Sequence, residues 1–354
     1  MEKMVMKNIV NYFKNKKILI TGHTGFKGSW FSKLLITLGS KVYGISLQQS
    51  KLSLYNLINL DNEMNSYIED IRNFDNLKKI VDKINPDIIF HLAAQPLVIE
   101  SYNRPIYTFE TNVIGTINIM ETIKNLNNIE SVVIITTDKV YDNKEWVWAY
   151  RETDSLGGYD PYSASKTCAE IAIKSYRKSF FKNTNIVSAR AGNVIGGGDF
   201  ADNRIIPDII RSIEKNISVE LRNPNSVRPW QHVLDVIYGY ILLAYNAANN
   251  KNISESYNFS PIDEGDKFTV EYITKQFIKD IGKGSYTINI QNTSKKEMGM
   301  LRLDSSLARK ELNWNERFNT EEAIHQTAIW YKEYLNKSDI INITEKQIRN
   351  YIGI

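Results

Sequence analysis

Lys17-Ile18-Leu19-Ile20-Thr21 is a β-rich apolar run that leads into a glycine cluster, and from Trp30 to Leu38 the apolar positions take on helical spacing that stops at Gly39. Strand, loop and helix follow one another in that order. Lys41 to Leu47, Pro86 to Leu92 and Ser131 to Thr136 read as three more strands, with a helical stretch from Thr108 to Asn125 between the last two. A helix is predicted from Ser163 to Phe180 and a strand from Asn185 to Arg190. Alternating strands and helices imply right-handed crossovers, hence an α/β, Rossmann-like doubly wound parallel sheet covered on both faces. Beyond Gly196 the alternation loosens, and Gly196-Gly197-Gly198, Pro224 and Pro229 mark loops. The pattern predicts residues 1–195 as the first domain, a return to it near 233–260, and a smaller, more irregular cap over the rest of 196–354. The longest apolar run, around Val236 to Ala244, falls well short of the ~18 residues of a membrane span and reads as a buried helix.

Composition narrows the class. A chain of 354 residues has room for roughly two domains of ~150 residues, and 42% hydrophobic with 24% charged residues excludes disorder, collagen and coiled coil. A net charge of +4 is too small and too evenly spread for a nucleic-acid surface. Cys168, the single cysteine, cannot form an intrachain disulfide, and no Cys/His cluster has metal-ligand spacing, so no metal is expected. The start, Met1 to Lys17, interleaves five lysines with apolar residues and lacks the apolar stretch of a signal peptide. A cytoplasmic, non-membrane enzyme is the expectation.

The glycine cluster carries the first chemistry. Gly22-His23-Thr24-Gly25-Phe26-Lys27-Gly28 has the form GxxGxxG between a strand and a helix. Glycines there allow a tight turn and close approach of backbone to pyrophosphate, and the helix N-terminus supplies unpaired N–H groups. Gly22, Gly25, Phe26, Lys27 and Gly28 are therefore cofactor candidates. The acid that commonly holds the adenosine ribose after the second strand is missing, and Gln48 stands there instead. Gln48 can bond a ribose hydroxyl and no arginine follows it to take a 2′-phosphate, which favours NAD over NADP. Asp70, followed by Ile71, can accept from the adenine amino group or be an ordinary surface acid.

Tyr162-Ser163-Ala164-Ser165-Lys166 sets a tyrosine and a lysine at i and i+4, about 6 Å apart along one helix face. A free phenol ionises near pH ~10, and a neighbouring ammonium that stabilises the phenolate makes Tyr162 a usable base near neutrality.

Together the glycine turn, Tyr162 and Lys166 resemble the extended short-chain dehydrogenases/reductases, a family of nucleotide-sugar epimerases and dehydratases. His91-Leu92-Ala93-Ala94-Gln95-Pro96 resembles its strand end beside the nicotinamide, and Asn112-Val113-Ile114-Gly115-Thr116 its NVxGT helix. Thr136-Thr137-Asp138-Lys139-Val140-Tyr141, Asn143 to Trp146, Gly158 to Tyr162, His23 to Trp30 and Arg228 to Asp235 are similar, within that family, to CDP-glucose 4,6-dehydratases.

The resemblance implies oxidation at C4 of the hexose, loss of water across C5 and C6, and return of the same hydride to C6, with NAD recycled in each turnover. It implies Tyr162 as C4 base with Lys166 lowering its pKa, Thr137 orienting the C4 oxygen, and Asp138 as the acid for the departing C6 hydroxyl. Lys139 stands where related dehydratases carry a glutamate. It is either the C5 base or a stabiliser of the enolate while another group acts as base. Leu92, Ala93, Ala94, Asn112 and Thr136 are expected on the NAD side, and Gln95, Asn193, Arg204, Arg228 and His232 around a CDP-glucose-like substrate, with Arg190 in the same set. The Trp146, Trp148 and Tyr150 loop either closes over the sugar or packs against the cap. A homodimer through Thr108 to Asn125 and Ser163 to Phe180 is also implied. The competing readings are a nucleotide-sugar 4-epimerase, which needs no acid beside C6, and a non-catalytic NAD(P)-sensing Rossmann protein, which has no need of Tyr162 and Lys166.

Overall fold

Within each short apolar run, successive side chains take opposite faces and so divide the core into two layers. Ile18 and Ile20 join one apolar cluster and Leu19 the other; Ile88 and Phe90 are likewise split from Ile89, and Val133 and Ile135 from Val132 and Ile134. Strands buried on both sides are what a parallel sheet between helical layers requires. The computed structural model describes residues 2–181, 185–250, 252–262, 265–289 and 299–354.

The strands are β1 (Lys17–Thr21), β2 (Lys41–Ser46), β3 (Asn65–Ile68), β4 (Ile88–His91), β5 (Ser131–Ile135), β6 (Asn185–Ala191), β7 (Val194–Ile195), β8 (Val219–Leu221), β9 (Gln231–His232), β10 (Ser256–Phe259) and β11 (Tyr286–Ile288). Seven of them form one sheet in the order β10-β6-β5-β4-β1-β2-β3, with every pairing parallel. β7 pairs with β9, and β8 with β11, in two small parallel ladders. The Rossmann-like sheet expected from the sequence is thus observed. Its order reverses beside β1, where the chain crosses from β3 back to β4, and that opens a crevice at the strand C-termini.

The helices are α1 (Glu2–Phe13), α2 (Phe26–Thr37), α3 (Leu54–Leu57), α4 (Phe74–Ile84), α5 (Val98–Asn103), α6 (Pro105–Phe109), α7 (Gly115–Ile123), α8 (Pro161–Phe180), α9 (Ile205–Glu214), α10 (Val233–Asn249), α11 (Val270–Ile281), α12 (Ser306–Leu312), α13 (Thr320–Leu335) and α14 (Ile340–Ile352). Between α6 and α7 the chain stays helical but widens into a π-turn over Glu110–Ile114. The helix expected over Thr108 to Asn125 therefore contains a change of pitch that the periodicity did not reveal.

After Gly196 the chain builds α9, β8, α11 and β11 away from the sheet and twice returns to it. The apolar run around Val236 is the buried centre of α10, which packs on β5 and β6, and β10 extends the sheet beside β6. Its last helix, α14, lies against α2. Lys33 of α2, almost fully buried, is clamped at 2.7 Å by both Glu63 and Glu345 of α14. Among the described residues no helix is long and apolar enough to cross a membrane.

Candidate active site

The glycine turn leaves β1 with Gly22 at φ +76°, a left-handed conformation that suits a residue without a side chain. A β-carbon on Gly22 would lie 2.8 Å from the Ala93 nitrogen, and one on Gly28 would lie 2.1 Å from the Gly22 carbonyl oxygen. These two glycines serve close packing. Gly25 is different, because a β-carbon there meets only the Gly22 oxygen at 3.4 Å, and it N-caps α2 without a side-chain cap and without an acid in the first turn. The first N–H groups of α2 thus face the crevice with the dipole's positive end, an arrangement that fits a pyrophosphate. Opposite, at the end of β4, the Leu92 and Ala93 nitrogens donate to the Thr21 carbonyl and hydroxyl, both at 3.1 Å, which brings Leu92, Ala93 and Ala94 beside the turn.

Gln48 stands exposed past β2. Asp70 is gripped by Arg72, whose Nη2 lies 2.6 Å from Oδ2. Burial raises its pKa, but the Arg72 bonds outweigh that and hold the carboxyl below its ordinary value. Ile71 is buried, and a β-carbon on Gly115 would lie 2.4 Å from its Cδ1.

The end of β5 brings Thr136, Thr137, Asp138 and Lys139 to the same crevice. α8 begins beside them because Asp160 caps it, accepting from the Ser163 nitrogen at 2.9 Å, and Tyr162 and Lys166 follow one turn apart. The Thr137 hydroxyl donates to Asp138 Oδ1 at 2.9 Å and also reaches the Tyr162 phenol. Asp138 is 1% exposed; its Oδ2 is buried with no hydrogen-bond partner among the described residues, and Lys139 Nζ stands 3.7 Å from its Oδ1.

The expected effect of Lys166 on Tyr162 is not seen here. Burial pushes Tyr162 up to about 12, with the Thr137 hydrogen bond pulling the other way. Lys166 donates to the Ile135 carbonyl at 3.1 Å, and burial, then the charge of Lys27, lower it to about 7 despite the attraction of Glu170. An ammonium that loses its own proton near neutrality is a weaker prop for a phenolate. Glu170, one further turn along α8, was not read from the sequence, although its i+4 spacing from Lys166 was the available signal. It accepts from Thr136 at 2.5 Å and pairs with Arg190 at 2.9 Å. Arg190 is thereby a buried structural partner rather than a ligand donor.

A cavity of about 720 Å³ opens over this cluster. From the cofactor and catalytic candidates it is lined by Phe26, Lys27, Thr136, Thr137, Asp138, Lys139 and Tyr162; from the substrate candidates, by Asn193, Arg204 and Arg228. Asp199, unforeseen at the end of the glycine run, also lines it and holds Arg204 at 2.8 Å.

Three candidates are corrected by their hydrogen bonds. Gln95 does not reach the cavity, because its amide nitrogen donates to Leu97 O at 3.1 Å and Thr108 Oγ1 at 2.9 Å while its oxygen accepts from the Leu97 nitrogen at 2.7 Å. His232 is fully buried: its Nδ1 caps α10 by accepting from the Leu234 nitrogen, and its ring packs edge-on against Trp30 and Phe318. Asn112, expected on the cofactor, spends both amide hydrogens on Gln95 O at 3.1 Å and Ser165 Oγ at 2.9 Å, so it fixes the loop after β4 to α8. Trp146 stacks on Tyr150, which stacks on Tyr141, whereas Trp148 points to solvent; none lines the cavity, which leaves packing as the observed role of this loop.

A glycine turn facing a tyrosine–lysine helix across a strand end with Thr-Asp can be compared with known proteins. The family model described as GDP-mannose 4,6 dehydratase matches residues 19–327. The chain is 43% identical over 352 residues to a CDP-glucose 4,6-dehydratase of Salmonella typhimurium, covering 97% of this chain and 98% of that protein. It is 32% identical over 204 residues to a CDP-paratose 2-epimerase of Salmonella typhi, covering 52% of this chain and 59% of that one. In structure it is similar to a dTDP-glucose 4,6-dehydratase of Bacillus anthracis solved with NAD, with a TM-score of 0.77, 22% identity and coverage of 92% and 99% of the two chains. A UDP-glucose 4-epimerase of Thermotoga maritima aligns with a TM-score of 0.78 at 21% identity, covering 90% and 99%. The match through the sheet, the reaction cluster and most of the cap shows that this chain belongs to the GDP-mannose 4,6 dehydratase family, whose members are nucleotide-sugar dehydratases and epimerases of the extended short-chain dehydrogenase/reductase type.

Proposed function

We propose that the protein is a hydro-lyase that converts CDP-glucose to CDP-4-keto-6-deoxyglucose. The observation that carries this reading is Asp138: a buried carboxyl group with one oxygen held by Thr137 and the other unclaimed, facing the cavity beside Tyr162. A 4-epimerase needs no acid next to C6. The 43% identity to a CDP-glucose 4,6-dehydratase over nearly the full chain supports both the reaction and the cytidine substrate. The turn at Gly25 and the crevice beside β4 fit NAD, which when bound supplies the acceptor for the C4 hydride and the donor that returns it to C6. Residues 1–195 with 233–260 form the cofactor side in this reading, joined by α14 packed on α2, and α9, β8, α11 and β11 form the cap, so the expected cap over all the rest of 196–354 is too broad.

The chain's own groups divide the work. Tyr162 removes the C4 hydroxyl proton in its phenolate form, which burial opposes and which the positive charge of the nicotinamide would favour when NAD is bound, and Thr137 orients that oxygen. A ketone at C4 then makes the C5 proton acidic; as that proton is taken the C6–O bond breaks, and Asp138 in its protonated form gives the Oδ2 proton so that the C6 hydroxyl leaves as water. Lys139, beside Asp138, faces the enolate either as base or as stabilising charge. Asn193, Arg204 and Arg228 hold the diphosphate. A cytoplasmic homodimer completes the proposal, through the exposed apolar side chains of α6, the π-turn and α8.

The test is incubation of the pure protein with NAD and CDP-, dTDP-, GDP- and UDP-hexoses, followed by mass spectrometry. Loss of one water from CDP-glucose alone is expected. C4 epimerisation without water loss would overturn the dehydratase reading.

A further inference from the structure

Lys27 is the second residue of α2, where the backbone is committed to the glycine turn, but its side chain leaves the turn. The first turn of α2 leans on the loop after β7: the Phe26 ring lies 3.2 Å from where a β-carbon on Gly196 would stand. Lys27 lines the same cavity as Asp138, Asp199 and Arg204, three charges from the far side of the crevice. Arg204 is already paired with Asp199, and Arg228 donates to the Val227 carbonyl at 2.8 Å. The Lys27 ammonium has no hydrogen-bond or ion-pair partner among the described residues. Lys27 is half-buried, and an ammonium with three donors and no protein acceptor in a partly closed cavity is poorly satisfied. Burial, and then the positive charge of Arg204, lower its pKa to about 8, against the attraction of Asp138 and Asp199. An anion entering the cavity relieves both effects.

We propose that Lys27 is a substrate-binding residue whose ammonium holds the sugar-bearing phosphate of the nucleotide-diphosphate hexose. The inference rests on the proposed function for the class of substrate. Lys27 shares one cavity with Asp138 and Tyr162 of the reaction cluster and with Arg204, which puts its ammonium within the space that a hexose at Tyr162 and the phosphate bonded to it would fill. The backbone N–H groups of α2 remain available for the dinucleotide. One helix start then serves two anions, by its main chain on the cofactor side and by Lys27 on the substrate side.

Isothermal titration of the purified protein with CDP and with CMP, together with its NAD content, tests this. In Lys27→Met, CDP affinity is expected to fall at least about ten-fold, the loss of a charge-assisted contact, while CMP affinity and NAD content stay within two-fold of wild type. Lys27→Arg should restore most of the CDP affinity. Loss of NAD with CDP binding intact would make Lys27 a cofactor residue and overturn the proposal. Equal losses for CDP and CMP, or no loss for either, would overturn it too. If thermal melting shows Lys27→Met to be unfolded, Lys27→Gln carries the same comparison. A wild-type protein that binds CDP but dehydrates no CDP-hexose would defeat the functional reading while leaving the Lys27 comparison intact.

Discussion

Asp138 has one carboxylate oxygen engaged and one waiting, and Gly192 makes room for the second. A β-carbon on Gly192 would stand 3.4 Å from Asp138 Oδ2 and 2.7 Å from Pro229 Cγ. Asp138→Asn keeps the shape and removes the proton donor, so C4 oxidation should remain measurable as transient NADH absorbance while water loss falls by ~10²–10⁴-fold. Undiminished formation of the 4-keto-6-deoxy product would refute the acid role. Gly192→Ala should push Pro229 or Asp138 aside and lower turnover with little change in the melting temperature. At this scale the sequence was legible where a motif dictates the backbone, as at Gly22, Thr137 and Tyr162. It misled at Gln95 and His232, because which way a polar side chain turns is settled by distant acceptors and ring neighbours that spacing does not encode. Asp199 was missed although it lies only five residues before Arg204, because the loop between them has no regular period from which the pairing could be read.

Elements read well where they carry their own signal. Five strands of the sheet, β1, β2, β4, β5 and β6, and the helix over Pro161–Phe180 were visible as apolar runs and helical periodicity, each bounded within a few residues, whereas the edge strands β3 and β10 carry too short and too polar a run to show. α1, α4 and α14 were not, since each is a mixed polar sequence whose apolar face has meaning only against a partner distant in the chain. α14 shows what such an element contributes. Tyr351 donates to Asp235 Oδ1 at 2.7 Å, and the Arg317 nitrogen donates to the same oxygen at 2.7 Å, while Oδ2 has no hydrogen-bond partner among the described residues. Tyr351→Phe takes one of these bonds from a buried carboxyl and is expected to cost about 1–3 kcal/mol in chemical denaturation. A loss below ~0.3 kcal/mol would show that α14 is held by its apolar face alone.

For the molecule as a whole, three buried histidines set the response to acid. Burial lowers His23 to about 4 and His91 and His232 to about 3, from an ordinary 6.5. Between those values the unfolded chain takes up protons that the folded chain refuses, so their contribution is complete above pH 6.5 and is lost progressively as the pH falls. Asp235 acts in the opposite sense, because burial raises it to about 7 from 3.8 and the folded state then keeps a proton that the unfolded chain releases. Glu152 and Asp208, also raised by burial, act with Asp235, while Asp70, Glu170 and Asp304, which burial raises but whose partners hold them low, act with the histidines; the histidine shifts carry the balance, and the melting temperature is expected to fall as the pH is lowered from 6.5 to 4.5. A flat or rising melting temperature would contradict this balance. The same scale governs assembly. Ile106, Ile114 and Ile171 are 74%, 47% and 59% exposed on adjoining helical segments, an apolar area that a second copy would cover. Light scattering should give twice the chain mass for the wild type and the chain mass for a variant combining Ile106→Asp with Ile171→Asp.

The π-turn at Glu110–Ile114 gives this helix something like a reading frame. Ile106 and Ile114 are eight residues apart, out of phase by ~80° in a regular α-helix, but a turn with one residue more than usual lets the interval behave as two full α-turns. Both then lie on one outward stripe, while Asn112, 1% exposed, is turned inward to hold Gln95. Deleting any one residue of the turn would rotate α7 by about 100° against α6, carrying core residues to the surface and surface residues into the core. The number of residues in this stretch is therefore as constrained as their identity. A single-codon deletion here should abolish folding, whereas the same deletion in the exposed stretch from Gln48 to Leu52 should be tolerated.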